Sequence, residues 1–241
     1  MADFSSLKAI FINCSIKKDS SDSHTQKLMN RAAGVMQEEG VEVEHIYMLD
    51  HSVAFGMIMD GAESGLTDDF PTLYKKIINA DILVIGSPIW LGAMSSVTAQ
   101  LIERMYAYSA ETNDKDQYVY YGKVAGCITT GNEDGGKAVA RDVLYAMQHI
   151  GYTIPPQADT TWLGEAGPGP SYGDEEWDGE TLDTPAGYDN DFTNTNTTIM
   201  AWNLMHMAKL LKNNGGIPAE GNTTNKKKNI ANAGSQNPEY R

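Results

Sequence analysis

Residues 82–94 read ILVIGSPIWLGAM, and this stretch decides the fold. Ile82 to Ile85 is continuously apolar, as a strand covered on both faces must be, and Gly86-Ser87-Pro88 then breaks it. Working back toward the N-terminus, Phe70 to Asn79 has helical spacing, and His51 to Asp68 is a loop bearing Met and Gly. Val41 to Ile46 (VEVEHI) alternates apolar and polar residues like an outer strand. Lys8 to Cys14 (KAIFINC) is another short apolar run, followed by a helical pattern from about Thr25 to Glu39 that Gly40 stops. Toward the C-terminus, Val97, Leu101 and Met105 place a helix over Ser95 to Tyr108, with Ser95 or Ser96 as its N-cap. Val124 to Thr130 is a strand, Val139, Val143, Met147 and Ile150 mark a helix opened by Gly135-Gly136, and Tyr152 to Pro155 reads as a fifth strand.

Strands separated by helices, with connections too long for hairpins, predict an α/β fold: a doubly wound, five-stranded parallel sheet with helices on both faces. The 241 residues divide into one domain over 1–213 and a polar tail over 214–241. Within the domain, 159–196 reads as a long loop. Asp159 to Asp191 carries ten acidic residues and no Lys or Arg, and too few aliphatics for a core of its own. A last helix, about Thr197 to Lys212, packs through Met200, Leu204, Met207 and Leu211.

A formal charge of −14 argues against nucleic acid and anionic membrane surfaces as partners. The basic run Lys226-Lys227-Lys228 lies in the Asn- and Gly-rich tail and reads as a solvated end. No run approaches 18 apolar residues and the N-terminus lacks signal-peptide character, so the expectation is a cytoplasmic protein. Cys14 and Cys127, both in apolar runs, are expected to be reduced structural thiols.

Ligands of such a sheet bind beyond the C-terminal strand ends. The first end leads through Ser15, Lys17 and Ser23 into a helix beginning near His24 and Thr25, where free amides and the helix dipole favour an anion such as phosphate. The third supplies Pro88, Ile89, Trp90, Leu91 and Gly92, and the fourth Thr129, Thr130, Gly131, Asn132 and Gly135. No G-x-x-x-x-G-K-[ST] or G-x-G-x-x-G is present, which removes a nucleotide-hydrolysing P-loop and an ordinary dinucleotide domain. Cys14 lacks the Arg of a C-x5-R phosphatase loop, because that position is Ser20, and a receiver domain's carboxylate at the third strand end is replaced by Ser87-Pro88.

In order and spacing these loops resemble those of the flavodoxin-like NAD(P)H-dependent FMN reductase and quinone reductase family, in particular its WrbA-like branch. Ser15 to Thr25 resembles the phosphate loop G-S-P-R-x-(G/S)-N-T, with Ser15, Lys17, His24 and Thr25 at the S, R, N and T positions, but with Ile16 for Pro and a longer insert. Gly86 to Met94 resembles G-(S/T)-P-x-(Y/W)-x-G-x-M, which lies against the flavin ring, and Thr129 to Gly136 resembles the next flavin loop. Gly169 to Gly173 resembles a later loop whose aromatic, here Tyr172, approaches the flavin from a neighbouring subunit. The resemblance implies strand order 2-1-3-4-5, FMN as cofactor, NAD(P)H as co-substrate and a small-molecule acceptor such as a quinone or flavin, stacked near Trp90 with Tyr172 or Trp162 as walls. It also implies a homodimer or homotetramer. No catalytic residue and no metal are nominated, since the flavin carries the chemistry, and two cysteines exclude the iron-sulfur cluster of some relatives. The rivals are a flavodoxin-type electron carrier with an acidic docking surface, and a binding protein that has lost the flavin.

Overall fold

The computed structural model describes residues 3–17, 19–167 and 169–224. Its sheet has five parallel strands, β1 (Lys8–Asn13), β2 (Glu42–Tyr47), β3 (Ile82–Trp90), β4 (Val124–Asn132) and β5 (Asp159–Gly164). They lie in the order β2-β1-β3-β4-β5, as expected, and a two-residue strand, Ala93–Met94, folds back antiparallel on the end of β3. The helices are α1 (His24–Glu38), α2 (Phe70–Asn79), α3 (Ser96–Ala107), α4 (Gly136–Ile150) and α5 (Asp191–Asn213).

Side chains alternate across the strands and so build two cores. Phe11, Val84, Ile128 and Trp162 face α1 and α5, while Ile12, Ile85 and Cys127 face α2, α3 and α4. Gly86 is required where α1 crosses β3, because a Cβ there would lie 2.2 Å from Met29 Sδ and 3.0 Å from Thr25 Cγ2. Both cysteines are free and buried, and burial pushes the Cys14 thiol up to about 12, so neither is poised as a thiolate.

The structure differs from the sequence reading at the sheet edge. Tyr152 to Pro155 is not the fifth strand: Thr153 makes a single bridge to Val124, and Pro155-Pro156, which carry no N–H, end the pairing. The edge strand is Asp159–Gly164 (DTTWLG), so the first six residues assigned to the acidic loop pair in register with β4 from Cys127↔Asp159 to Asn132↔Gly164. Helix α5 likewise begins at Asp191 rather than near Thr197, with the Asn190 side chain capping Thr193 N. Between them, Glu176–Trp177 and Glu180–Thr181 form a short antiparallel hairpin. Part of the C-terminal tail is also docked. The Gln117 side-chain amide donates to the carbonyls of Ile217 and Pro218 and to Asn222 Oδ1, and Thr224 N donates to the Asp116 carbonyl. Lys226 to Lys228 lie outside the described residues.

The loop between β2 and α2 is held by a buried ion pair. Arg104 of α3 grips Asp68 bidentately, Nη1 to Oδ1 at 2.9 Å and Nη2 to Oδ2 at 2.7 Å, and both side chains are fully buried. The same guanidinium donates to the carbonyls of Ala54 and Met59, and Asp68 accepts from the backbone amides of Ala54, Gly61 and Phe70. Burial raises the carboxyl's pKa, but Arg104 and these amides more than offset it, leaving Asp68 at about 2. Since the folded value lies below the ordinary carboxylate value of about 4, the stabilisation is present above that pH and is lost as pH falls toward 2. Asp68→Ala leaves the Arg104 charge buried and unpaired, and should cost about 3–5 kcal/mol in urea unfolding at pH 7. The difference from wild type should shrink below about pH 4 as the wild-type carboxylate itself takes up a proton.

Candidate functional site

Three strand ends and one strap enclose a cleft with about 580 Å³ of empty space, counting its open mouth. The first wall is the β1–α1 loop. Asn13 at the end of β1 orders it, accepting from Ser15 N at 2.9 Å and donating to Ser23 Oγ at 3.1 Å. Ser23 Oγ lies 2.8 Å from Ser15 Oγ and accepts from Gln26 N, which makes Ser23 the N-cap of α1 as well as a wall residue. At the second position of α1, Thr25 Oγ1 comes within 2.7 Å of Thr130 Oγ1, joining the first wall to β4.

The sheet register forms the floor. Pro88 pairs with Thr130 and Thr130 with Trp162, so three lining residues share one row across β3, β4 and β5. Thr129 and Thr161 occupy the preceding row and face the other side, with hydroxyls 2.7 Å apart. Trp90 stands at the mouth, 44% exposed.

The strap is the segment 169–174. Asn132 Nδ2 donates to the Gly169 carbonyl at 3.2 Å, His24 Nδ1 lies 3.0 Å from the Tyr172 carbonyl oxygen, and Lys27 Nζ donates to the Gly173 carbonyl at 2.9 Å. Tyr172 is fully buried, its ring 5.6 Å from Trp162 and 5.3 Å from Tyr188, over which the Arg31 guanidinium sits at 4.9 Å. His24 also lies 3.5 Å from Asp174. Burial, first, pulls the His24 pKa down, with Lys17 and Lys27 adding to it, while the Tyr172 carbonyl and Asp174 oppose.

Of the predicted site residues, Ser15, Lys17, Ser23, His24, Thr25, Pro88, Ile89, Trp90, Thr130, Gly131, Asn132 and Tyr172 line this cleft. Leu91, Gly92, Thr129 and Gly135 do not. Leu91 (φ 50°) and Gly92 (φ 73°) form the turn that returns the chain to Ala93, and the Leu91 side chain is wholly exposed. Thr129 points to the opposite face for the reason of register just given. Gly135 backs onto that turn, where a Cβ would lie 2.6 Å from Gly92 Cα, so its role is to let two loops touch. Tyr172 closes the cleft of its own chain, whereas the resemblance implied an approach from a neighbouring subunit. Ile16, Trp162 and Ser171 complete the lining; Ser171 precedes Tyr172 in the quoted loop, and that adjacency was its signal.

The profile of the NADPH-dependent FMN reductases matches residues 7–162, the span from β1 to the middle of β5. This chain belongs to that family. As an FMN reductase family member it is an oxidoreductase by class, with FMN as cofactor and NAD(P)H as reducing substrate. The 8-demethyl-8-aminoriboflavin-5'-phosphate synthase of Streptomyces davaonensis is 34% identical over 212 residues, covering 86% of this chain and 79% of that protein. The solved structure of RosB with bound 8-demethyl-8-formylriboflavin-5'-phosphate superposes with a TM-score of 0.76 at 34% identity, over 86% of this chain and 81% of that one. A Mycobacterium bovis protein named divalent metal cation transporter MntH is 50% identical over 210 residues; they are 87% of this chain but only 30% of that protein. Among the described residues no helix is long and apolar enough to cross a membrane, and no group of His, Cys, Asp and Glu could hold a metal ion.

The donor set suits the FMN family cofactor. Hydroxyls of Ser15 and Thr25, the Lys17 ammonium and the N-terminus of α1 answer a phosphate. Apolar Pro88, Ile89, Trp90 and Trp162 answer a flat aromatic system. The Tyr172 hydroxyl, by contrast, is buried without a hydrogen-bond partner among the described residues. Tyr172→Phe should therefore leave thermal stability unchanged or raise it, by up to about 1 kcal/mol, because a desolvated hydroxyl disappears and no bond is lost. A drop of similar size in a melting experiment would place a partner on that hydroxyl.

Proposed function

We propose that this chain is an FMN-dependent reductase passing electrons from NAD(P)H to a quinone, free flavin or similar planar acceptor. What carries the reading is the coincidence, in one cleft, of a hydroxyl- and lysine-lined helix N-terminus with an apolar slot whose mouth is marked by the half-exposed Trp90. Bound FMN supplies hydride-accepting and electron-donating chemistry. The chain's own part is to bind and orient: Ser15, Lys17 and Thr25 hold the phosphate, Pro88 and Ile89 lie along the ring, and Gly131 and Asn132 close the far side. Thr129 and Gly135 support these loops from behind, and Leu91 and Gly92 shape the turn at the mouth. The open mouth admits donor and acceptor in turn, and Trp90 offers either a stacking face. The charge of −14 supports a partner set without nucleic acid, and the exposed apolar Phe55, Met57, Leu66 and Leu91 support a homodimer or homotetramer.

A second reading, in which the bound flavin is itself the substrate, is favoured by the 34% identity to a synthase named for a modified riboflavin phosphate. One experiment separates the two. The protein is loaded with FMN, desalted, and given NADPH or NADH without oxygen, then a quinone. The reductase reading expects retained absorption near roughly 370 and 450 nm that bleaches with the nicotinamide and returns with the quinone. It also expects the released flavin to keep the mass of FMN. An altered flavin mass selects the second reading, retained flavin indifferent to both nicotinamides selects the carrier, and no retained flavin removes all three.

Two substitutions test the placement. Thr25→Val should weaken FMN about fivefold or more, the loss of one hydroxyl donor at about 1 kcal/mol. Trp90→Ala should raise KM for the quinone several-fold while leaving the melting temperature within a degree or two, since nearly half of this side chain is already in solvent.

A further inference from the structure

We infer that His24 and the FMN phosphate share a proton, so that the flavin is bound with uptake of one proton from solvent onto His24 Nε2. The inference rests on the FMN reading of the cleft and adds how the phosphate is recognised. Its geometric basis is the tautomer. His24 Nδ1 lies 3.0 Å from the Tyr172 carbonyl oxygen, which can only accept, so Nδ1 carries the hydrogen. In a neutral ring Nε2 is then an acceptor with a lone pair. The ring lines the cleft beside Ser23, Thr25 and Lys17, where the phosphate belongs, and phosphate oxygens are acceptors too. Two acceptors make a hydrogen bond only if a proton is added between them.

The surroundings favour that proton once an anion is present. From the strap, Asp174 lies 3.5 Å from Nδ1, and the Tyr172 carbonyl keeps its bond to either form of the ring. Lys17, from the β1–α1 loop, and Lys27, on α1 with its Nζ on the Gly173 carbonyl, oppose a cation, as does burial. β4 presents only the uncharged Thr130 and Asn132. These forces leave the ring neutral at pH 7 before the ligand arrives. A phosphate with about 1.5–2 negative charges reverses the balance by pairing with the imidazolium. His24 thus selects the phosphorylated flavin through a titratable contact.

The linkage has a definite sign. Because the proton is held only in the complex, FMN affinity falls as pH rises, by up to about tenfold per pH unit between the pKa of free His24 and that of bound His24, and levels off above the latter. Riboflavin, which lacks the phosphate, is indifferent to this group. The test is calorimetric titration of the whole chain with FMN and with riboflavin at about pH 7.5, in buffers of different ionisation enthalpy. The slope of heat against that enthalpy counts protons. The expected slopes are near one for FMN, near zero for riboflavin, and near zero for FMN with His24→Asn, which keeps an N–H for the Tyr172 carbonyl but cannot take up the proton. A wild-type FMN slope near zero overturns the inference, and so does a slope that survives in His24→Asn, which would put the proton on the phosphate alone. Should His24→Asn fail to fold, the wild-type contrast between FMN and riboflavin and the lower-pH affinity profile expected of Asp174→Asn decide instead. Binding of both flavins with equal slopes sinks this inference alone, whereas binding of neither sinks the FMN reading with it.

Discussion

The register of β1, β3, β4 and β5 is the constraint on which the rest depends. A buried parallel sheet must satisfy every backbone N–H and C=O along its length, so its strands cannot slip without losing ladder bonds and turning each side chain to the wrong face. That register sets Asn13 opposite Gly86, Pro88 opposite Thr130, and Thr130 opposite Trp162. Loops leaving neighbouring strands therefore depart at a common height, and polar groups that would be costly inside the sheet emerge together at one edge. The cleft is a consequence of where pairing stops.

Two devices then fix loops that have little core of their own. The stretch between β2 and α2 hangs on the Arg104–Asp68 pair, whose hydrogen bonds also satisfy the carbonyls of Ala54 and Met59. The strap after β5 has no such ion pair at its centre and is instead latched by its carbonyls to Asn132, His24 and Lys27. The second ties the strap to Asn132 and His24, which also line the cleft, so the state of His24 and the position of the strap are coupled through one carbonyl.

Much of this was legible in the chain. Continuous apolar runs at Ile10–Ile12, Ile82–Ile85 and Val124–Ile128 betray strands covered on both faces, because only a two-faced burial tolerates apolar residues at every position. Val97, Leu101 and Met105 marked α3 to within a residue at each end, and of the two cap candidates, Ser95 and Ser96, it is Ser95 that caps it. The sheet edge was not legible. Asp159-Thr160-Thr161-Trp162-Leu163-Gly164 sits in acidic, Gly- and Pro-rich surroundings, and composition averaged over that region hides the three good strand formers Thr160, Thr161 and Trp162. An edge strand is held by ladder bonds to its neighbour and by the packing of Thr160 and Trp162 against α5 and Tyr172, partners remote in sequence.

The sequence by itself determined the class of fold, the order in which strands and helices follow one another, and the three polar strand ends at which a ligand can sit, because these depend on local periodicity, caps and breakers. Only the tertiary structure decided which residues at those ends meet. Thr130 faces the cleft and Thr129 does not, Gly135 serves the packing of two loops, and Tyr172 returns to its own chain's site. The physical reason is that facing is settled by register between strands and by latches such as His24 to the Tyr172 carbonyl, which join residues 148 positions apart. No local pattern encodes a contact of that range.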